Sequence, residues 1–204
     1  MGRKSLGLTE LSKSRLEAFS DGVIAIIITL MVLEIRRPTL SAAPTSDQAW
    51  QAIFSILPSV ISYALSFFVI GCFWVNHHQM FHLVRRVDGV LIWLNINLLF
   101  WMSLIPLPTG FIGQYPLLPE ANIAYGVVLA MSSISYLVLW RAANDRMHEA
   151  FSIGKRRRVA RKNLLSTFLY LFAAGVSYAS VYVAWAVFVL IPLLYFIPEK
   201  VEPG

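Results

Sequence analysis

The stretch that decides the fold is Arg15-Leu-Glu-Ala-Phe19-Ser20-Asp21-Gly-Val-Ile-Ala-Ile26-Ile-Ile-Thr29-Leu30-Met31-Val-Leu33-Glu34. Between Asp21 and Glu34 no residue carries a charge, and nearly every side chain is aliphatic. About 20 helical residues at 1.5 Å rise cross a hydrocarbon core about 30 Å thick, so this segment reads as a transmembrane helix over residues 17–35. Working outward, further apolar blocks lie at 49–75, 90–109, 123–140 and 164–197. The last, 34 residues long, is too long for one comfortable span. Split near Gly175–Ser180 it gives spans at 164–178 and 179–197, short but tolerable with local thinning of the bilayer. The expectation is an all-α membrane protein, one six-helix transmembrane domain over residues 1–204, with five spans as the competing count.

Composition agrees. Hydrophobic residues make up 57% of the chain and charged ones 14%, at a mean hydropathy of +0.65. A soluble domain carries roughly a quarter of charged residues. The single cysteine, Cys72, excludes an internal disulfide and a cysteine-based zinc site, and reads as a small hydrophobe inside an apolar block. The first fifteen residues do not resemble a removable signal peptide.

Charge placement sets the orientation. With the N-terminus inside, 15 of the 17 basic residues fall on cytoplasmic segments, leaving Arg36 and Arg37 outside. This follows the positive-inside rule and predicts a multi-pass protein of the cell (plasma) membrane with both termini cytoplasmic. The run Lys155–Lys162 then reads as a topology anchor touching anionic lipid heads, and nucleic acid is not an expected partner. The loops are too short for a catalytic domain, so no enzyme is expected. Neither a phosphate-binding loop nor a T-V-G-Y-G carbonyl filter is present. Without an internal repeat, any pore requires several copies of the chain.

Ionisable residues inside spans need a physical reason. Asp21 lies about one turn inside the first apolar block, where Ser20 and Asp21 read as capping and pinning the helix start. Candidate partners are His77 and His78, in Trp74-Val-Asn-His-His-Gln-Met-Phe-His82. His78 and His82 have the i, i+4 spacing of metal ligands, but no cysteine and no H-E-x-x-H motif supports a metal, and structural histidines are the preferred reading. No cofactor is expected. At 100° per residue, Phe19, Val23, Ile26, Thr29, Leu30 and Leu33 share one side of the first helix. Such a stripe faces lipid or a packing partner; alternatively, copies of the helix surround an axis and form a constriction that gates by dewetting. Glu34 is either a carboxylate ring at a pore mouth or the local partner of Arg37.

Arg15-x-x-x-Phe19-Ser20-Asp21 resembles the signature opening the first helix of the transmembrane protein 175 family, the lysosomal potassium channels and their bacterial relatives. The similarity continues through Trp74 with His77-His78, Arg86-Val-Asp88, Trp93-Leu-Asn95 and Leu104-Ile-Pro106-Leu-Pro-Thr109. It implies a homotetramer of single-repeat chains whose first helices line a central pore. It also implies rings at Ile26, at Thr29 or Leu30, and at Leu33, with Ile26 narrowest. A motif network of Arg15, Phe19, Ser20 and Asp21 is implied against Trp74, His77, His78, Asp88 and Asn95. The function implied is a passive potassium-permeable cation channel, with potassium as permeant ion and lipid and further copies of the chain as partners. The rival readings are a proton- or ion-coupled secondary transporter using Asp21 with the His77/His78 cluster, and a membrane scaffold without transport.

Overall fold

The computed structural model describes residues 13–40, 42–147 and 153–196, and among these there is no β-strand. The helices are α1 (Lys13–Met31), α2 (Ser46–Ser55), α3 (Leu57–Leu83), α4 (Gly89–Ser103), α5 (Pro106–Gln114), α6 (Pro119–Asn144), α7 (Ile153–Val176) and α8 (Val181–Phe196). A 3-10 turn, Val32–Glu34, closes α1. Among the described residues, four segments are long and apolar enough to cross a membrane: Lys13–Glu34, Ser46–Leu83, Gly89–Gln114 and Pro119–Asn144. α8 is a shorter apolar helix, and α7 opens with the basic run Lys155–Lys162.

Local chemistry explains where these helices start and stop. α2 opens on a capping box. Thr45 Oγ1 accepts from the Gln48 amide at 3.3 Å, and Gln48 Oε1 accepts from the Thr45 amide at 3.0 Å. The chain restarts as α3 after Ile56, with Pro58 in the first turn, where the missing N–H has no intrahelical partner to lose. α3 then continues to Leu83, about two turns beyond the block ending at Val75, so Trp74 through His82 lie within a helix. The block 90–109 is broken: Pro106 cannot donate to Met102, whose carbonyl instead accepts from the Ile105 amide at 3.1 Å before α5 restarts. In the last block the break falls at Ser177–Ser180, where the Val176 carbonyl accepts from the amides of Ala179 (2.9 Å) and Ser180 (2.8 Å).

α6 forms the centre, against α7, α4 and α5. The α6–α7 seam is close because Gly126 has no side chain; a Cβ there would lie 3.0 Å from both Ala174 Cβ and the Tyr170 carbonyl. Ser133 bonds Thr167 across the same seam at 2.7 Å, and Tyr125 meets Phe188 of α8 edge-on at 5.0 Å. α5 packs on α3 through Gly113, and α1 lies against α3 and α4. The packing leaves α1 with one covered and one open side.

Candidate functional site

The covered side of α1 is Leu16, Ser20, Ile24, Ile27 and Met31, a three- and four-residue spacing that keeps one face on the core. The open side carries Phe19, Gly22, Ile26, Leu30 and Leu33, with Ala25 and Thr29 beside them. Ile26 is 58% exposed and Leu33 73%, against 2% for Ile24 and 3% for Ile27. Val23 departs from the predicted stripe: it is half-buried against the core. Thr29 and Leu30 both face outward. The Thr29 hydroxyl proton is directed to its own helix, toward the carbonyls of Ala25 and Ile26, each 3.0 Å away. Its oxygen lone pairs are thereby left on the open side.

A buried chain of hydrogen bonds fixes the covered side. His77 Nε2 donates to Asn95 Oδ1 at 2.7 Å, and Asn95 Nδ2 donates to Ser20 Oγ at 2.8 Å. Ser20 Oγ in turn donates to the Leu16 carbonyl at 2.9 Å. Because Asn95 Oδ1 only accepts, the proton belongs on Nε2 of the neutral ring. The three side chains come from α3, α4 and α1 and are essentially fully buried. His77 also packs on Phe81, with ring centroids 4.6 Å apart. Ser20 is thus an interior bolt well inside α1 and caps nothing, since the helix already runs from Lys13.

The partner predicted for Asp21 is corrected. Its Oδ1 accepts from Trp74 Nε1 at 2.8 Å, and neither His77 nor His78 bonds it. The reason is rotational: His77 points into the core and Trp74, three residues earlier, lies toward the surface beside Asp21. His78 stacks on Trp74 at 5.9 Å and is exposed. Arg15 is exposed and makes no hydrogen bond or ion pair among the described residues. Asp88 lies outside the network as well. Its Oδ1 caps α4 by accepting from the Leu91 amide at 3.0 Å, and its Oδ2 pairs with Arg146 at 2.6 Å. The Leu91 amide first, and the Arg146 guanidinium after it, hold this carboxyl below its ordinary range. Glu34 does not pair with Arg37. Its half-buried carboxylate lies over Gly110 of α5, where a Cβ would fall 2.5 Å from Oε2. No group of three His, Cys, Asp or Glu among the described residues is placed to hold a metal, so the i, i+4 pair His78 and His82 gains no third ligand.

The sequence reading missed a polar seam between α3, α5 and α6. Ser66 bonds Thr109 Oγ1 at 2.8 Å and Tyr125 Oη at 2.9 Å, and Ser62 lies against the Thr109 carbonyl at 3.3 Å. Ser59, Ser62 and Ser66 recur at three- and four-residue spacing, a visible signal of close helix contact. Arg146, counted in the sequence only as a topology charge, joins the end of α6 to the start of α4.

The family model described as endosomal/lysosomal potassium channel TMEM175 matches residues 15–106, the segment that carries α1, the buried network and Asp88. A potassium channel of Chryseobacterium sp. (strain P1-3) is 36% identical over 190 residues, covering 93% of this chain and 95% of that one. A potassium channel of Chamaesiphon minutus is 36% identical over 182 residues, 83% of this chain and 86% of that one. The crystal structure of a lysosomal potassium-selective channel TMEM175 homolog from the same organism superposes with a TM-score of 0.78 at 32% identity, over 91% of this chain and 97% of that chain. Relatedness at this level over nearly the whole length of both chains settles the family: the chain belongs to the TMEM175 family.

Proposed function

We propose that the chain is a passive, potassium-permeable channel of the cell membrane, built as a homotetramer of six-span subunits with α1 from each copy around a central axis. The observation that carries the proposal is the open aliphatic side of a helix whose other side is bolted to its own subunit. Left in lipid, that side would need no fixed rotation; here the Ser20–Asn95–His77 chain fixes it. Four copies turned inward would form an apolar ring at Ile26, an acceptor-bearing zone at Thr29 with Leu30, and a wider ring at Leu33.

An aliphatic ring supplies no oxygen ligands, so an ion passes by shedding part of its water or by wetting the constriction. Potassium holds its hydration shell less tightly than sodium, which gives a moderate preference for potassium. The basic residues at the ends of the helices set the topology, with both termini cytoplasmic and the run Lys155–Lys162 at the inner lipid surface. The chemistry of conduction needs no catalytic group and no bound cofactor.

The geometry speaks against a proton-coupled carrier built on Asp21 and the histidines. The donor chain from His77 ends at the Leu16 backbone carbonyl, which cannot pass a proton on. Asp21 is held separately by Trp74. The test is a mass measurement of the purified protein in nanodiscs, followed by flux from potassium-loaded liposomes. Four copies per particle and a potassium leak exceeding that of sodium are expected. A stable monomer or dimer, or liposomes no leakier than empty ones, would refute the proposal.

A further inference from the structure

Away from the open side of α1, the surface of the chain is cleft between α3 and α7. Two adjoining cavities of about 560 and 410 Å3 share Asn76, Gln79, Tyr136 and Val159. Together they follow α3 from Phe67 to Leu83, about 24 Å at 1.5 Å per residue, a large part of the hydrocarbon thickness. At its outer end the walls are Phe67, Phe68 and Val75, and Gly71 leaves open space where a side chain would stand. Toward the inner end the lining turns polar, with Gln79 and Lys162, and then His78 and His82.

This lining is ill suited to an ordinary acyl tail. Polar groups facing hydrocarbon are costly unless matched. The Lys162 ammonium lies 4.4 Å from the centre of the Tyr195 ring, but no carboxylate lines the groove. The groove therefore presents an apolar channel and a cation at the inner interface. The run Arg156–Lys162 continues the positive charge beyond the groove.

We infer that the α3–α7 groove binds one inner-leaflet anionic glycerophospholipid of the phosphatidylglycerol class. Its acyl chain lies along Phe67–Val75 and its phosphate at Lys162. A phosphatidylcholine offers the same acyl chains and phosphate but carries no net charge. Its quaternary ammonium donates no hydrogen bond and is repelled by Lys162. The inference rests on the membrane-spanning reading of the chain and is independent of whether the pore conducts.

The test is lipid retention by the purified full-length protein, read by native mass spectrometry after exposure to equal amounts of phosphatidylglycerol and phosphatidylcholine of the same chains. The expected result is selective retention of one phosphatidylglycerol per subunit. Lys162→Gln should cut that preference about fivefold, the scale of one cation at a membrane surface. Gly71→Leu, which fills the groove, should abolish retention. Gly175→Leu, on an exposed part of α7 that is equally open, should leave retention unchanged. Equal retention of the two lipids by the wild type, or undiminished retention in Gly71→Leu, would overturn the inference. So would a wild type free of lipid whose assembly falls apart in Gly71→Leu, since the groove would then hold a second copy. Because retention is read without ion flux, a non-conducting protein that still selects phosphatidylglycerol would refute the channel and leave the lipid site standing.

Discussion

Replacing Asn95 by Leu removes the centre of the chain that fixes α1. Two hydrogen bonds go, those to His77 and to Ser20. Each contributes about 0.5–1.5 kcal/mol net in a soluble protein, and about 0.6 on average between membrane helices. The larger cost is His77, which is left with a buried ring N–H lacking an acceptor, a penalty of about 1–3 kcal/mol. Ser20 retains the Leu16 carbonyl and adds little. The sum is a loss of about 2–4 kcal/mol. The triple variant Ser20→Ala, His77→Phe, Asn95→Leu should recover most of it, because replacing every partner by apolar groups leaves nothing unsatisfied. Unfolding by denaturing detergent, followed by tryptophan fluorescence in one fixed micelle, reads both values. Asn95→Leu as stable as the wild type, or a triple variant no better than the single, would refute the interior-bolt reasoning.

In the proposed pore, Ile26→Asn should hydrate the Ile26 ring, raising basal flux in liposomes and lowering the potassium-to-sodium ratio. Leu33→Asn should do so more weakly, and Met31→Leu, on the fully buried side, should leave both unchanged. Asp21→Ala should lower tetramer yield before it alters ion preference, by about 1 kcal/mol for one exposed charge-assisted bond to Trp74, read by size and thermal stability. Asp88→Asn keeps the cap and removes the charge. Since the folded carboxyl titrates below its ordinary value, the stability due to its charge is complete above about pH 4 and is lost as pH falls through the folded value. The wild-type advantage in stability, read by thermal unfolding, should therefore shrink on acidification toward pH 3, and stay under about 1 kcal/mol for so exposed a pair. Gly113→Ala would place a Cβ 2.9 Å from Ser59 Cα, a backbone atom that cannot yield, and should cost about 1–3 kcal/mol in the same unfolding assay.

The apolar run after Asp21 makes α1 legible from the sequence, and the 100° step makes its stripe legible. That step could not separate Val23 from Ile26, because which flank is covered depends on where α3 and α4 lie. The motif residues were visible as a set, but their pairing was not. Spacing along α3 does not say that Trp74 lies toward Asp21 while His77 turns inward to Asn95. The same holds for Asp88, which shares its end of the fold with the motif yet answers to Leu91 and Arg146. Hydropathy marked the blocks, and the length of the last one called for its break near Gly175–Ser180, but the breaks within the second and third blocks were not legible. Pro58 and Pro106 were plain in the text, and only the restarted hydrogen bonds show that each begins a new helix.

During synthesis the chain reaches the membrane helix by helix, and α7 is poorly equipped to enter alone. Beyond its basic run it leaves Asn163–Val176 as the apolar part, about 21 Å at 1.5 Å per residue and well short of a 30 Å core. α8 has 16 residues and carries Pro192 inside it. Single helices this short, one of them beginning in cations that each cost about 2.5–3.5 kcal/mol at mid-membrane, are weak signals for insertion. Their grip comes from α6, through Gly126 against Ala174, Ser133 against Thr167 and Tyr125 against Phe188. In the proposed six-span topology the two would therefore enter as a hairpin after α6 is in place, with the basic run held back on the ribosome's side as an anchor. In that topology the final quarter of the chain is the part whose entry depends on what the membrane has already received.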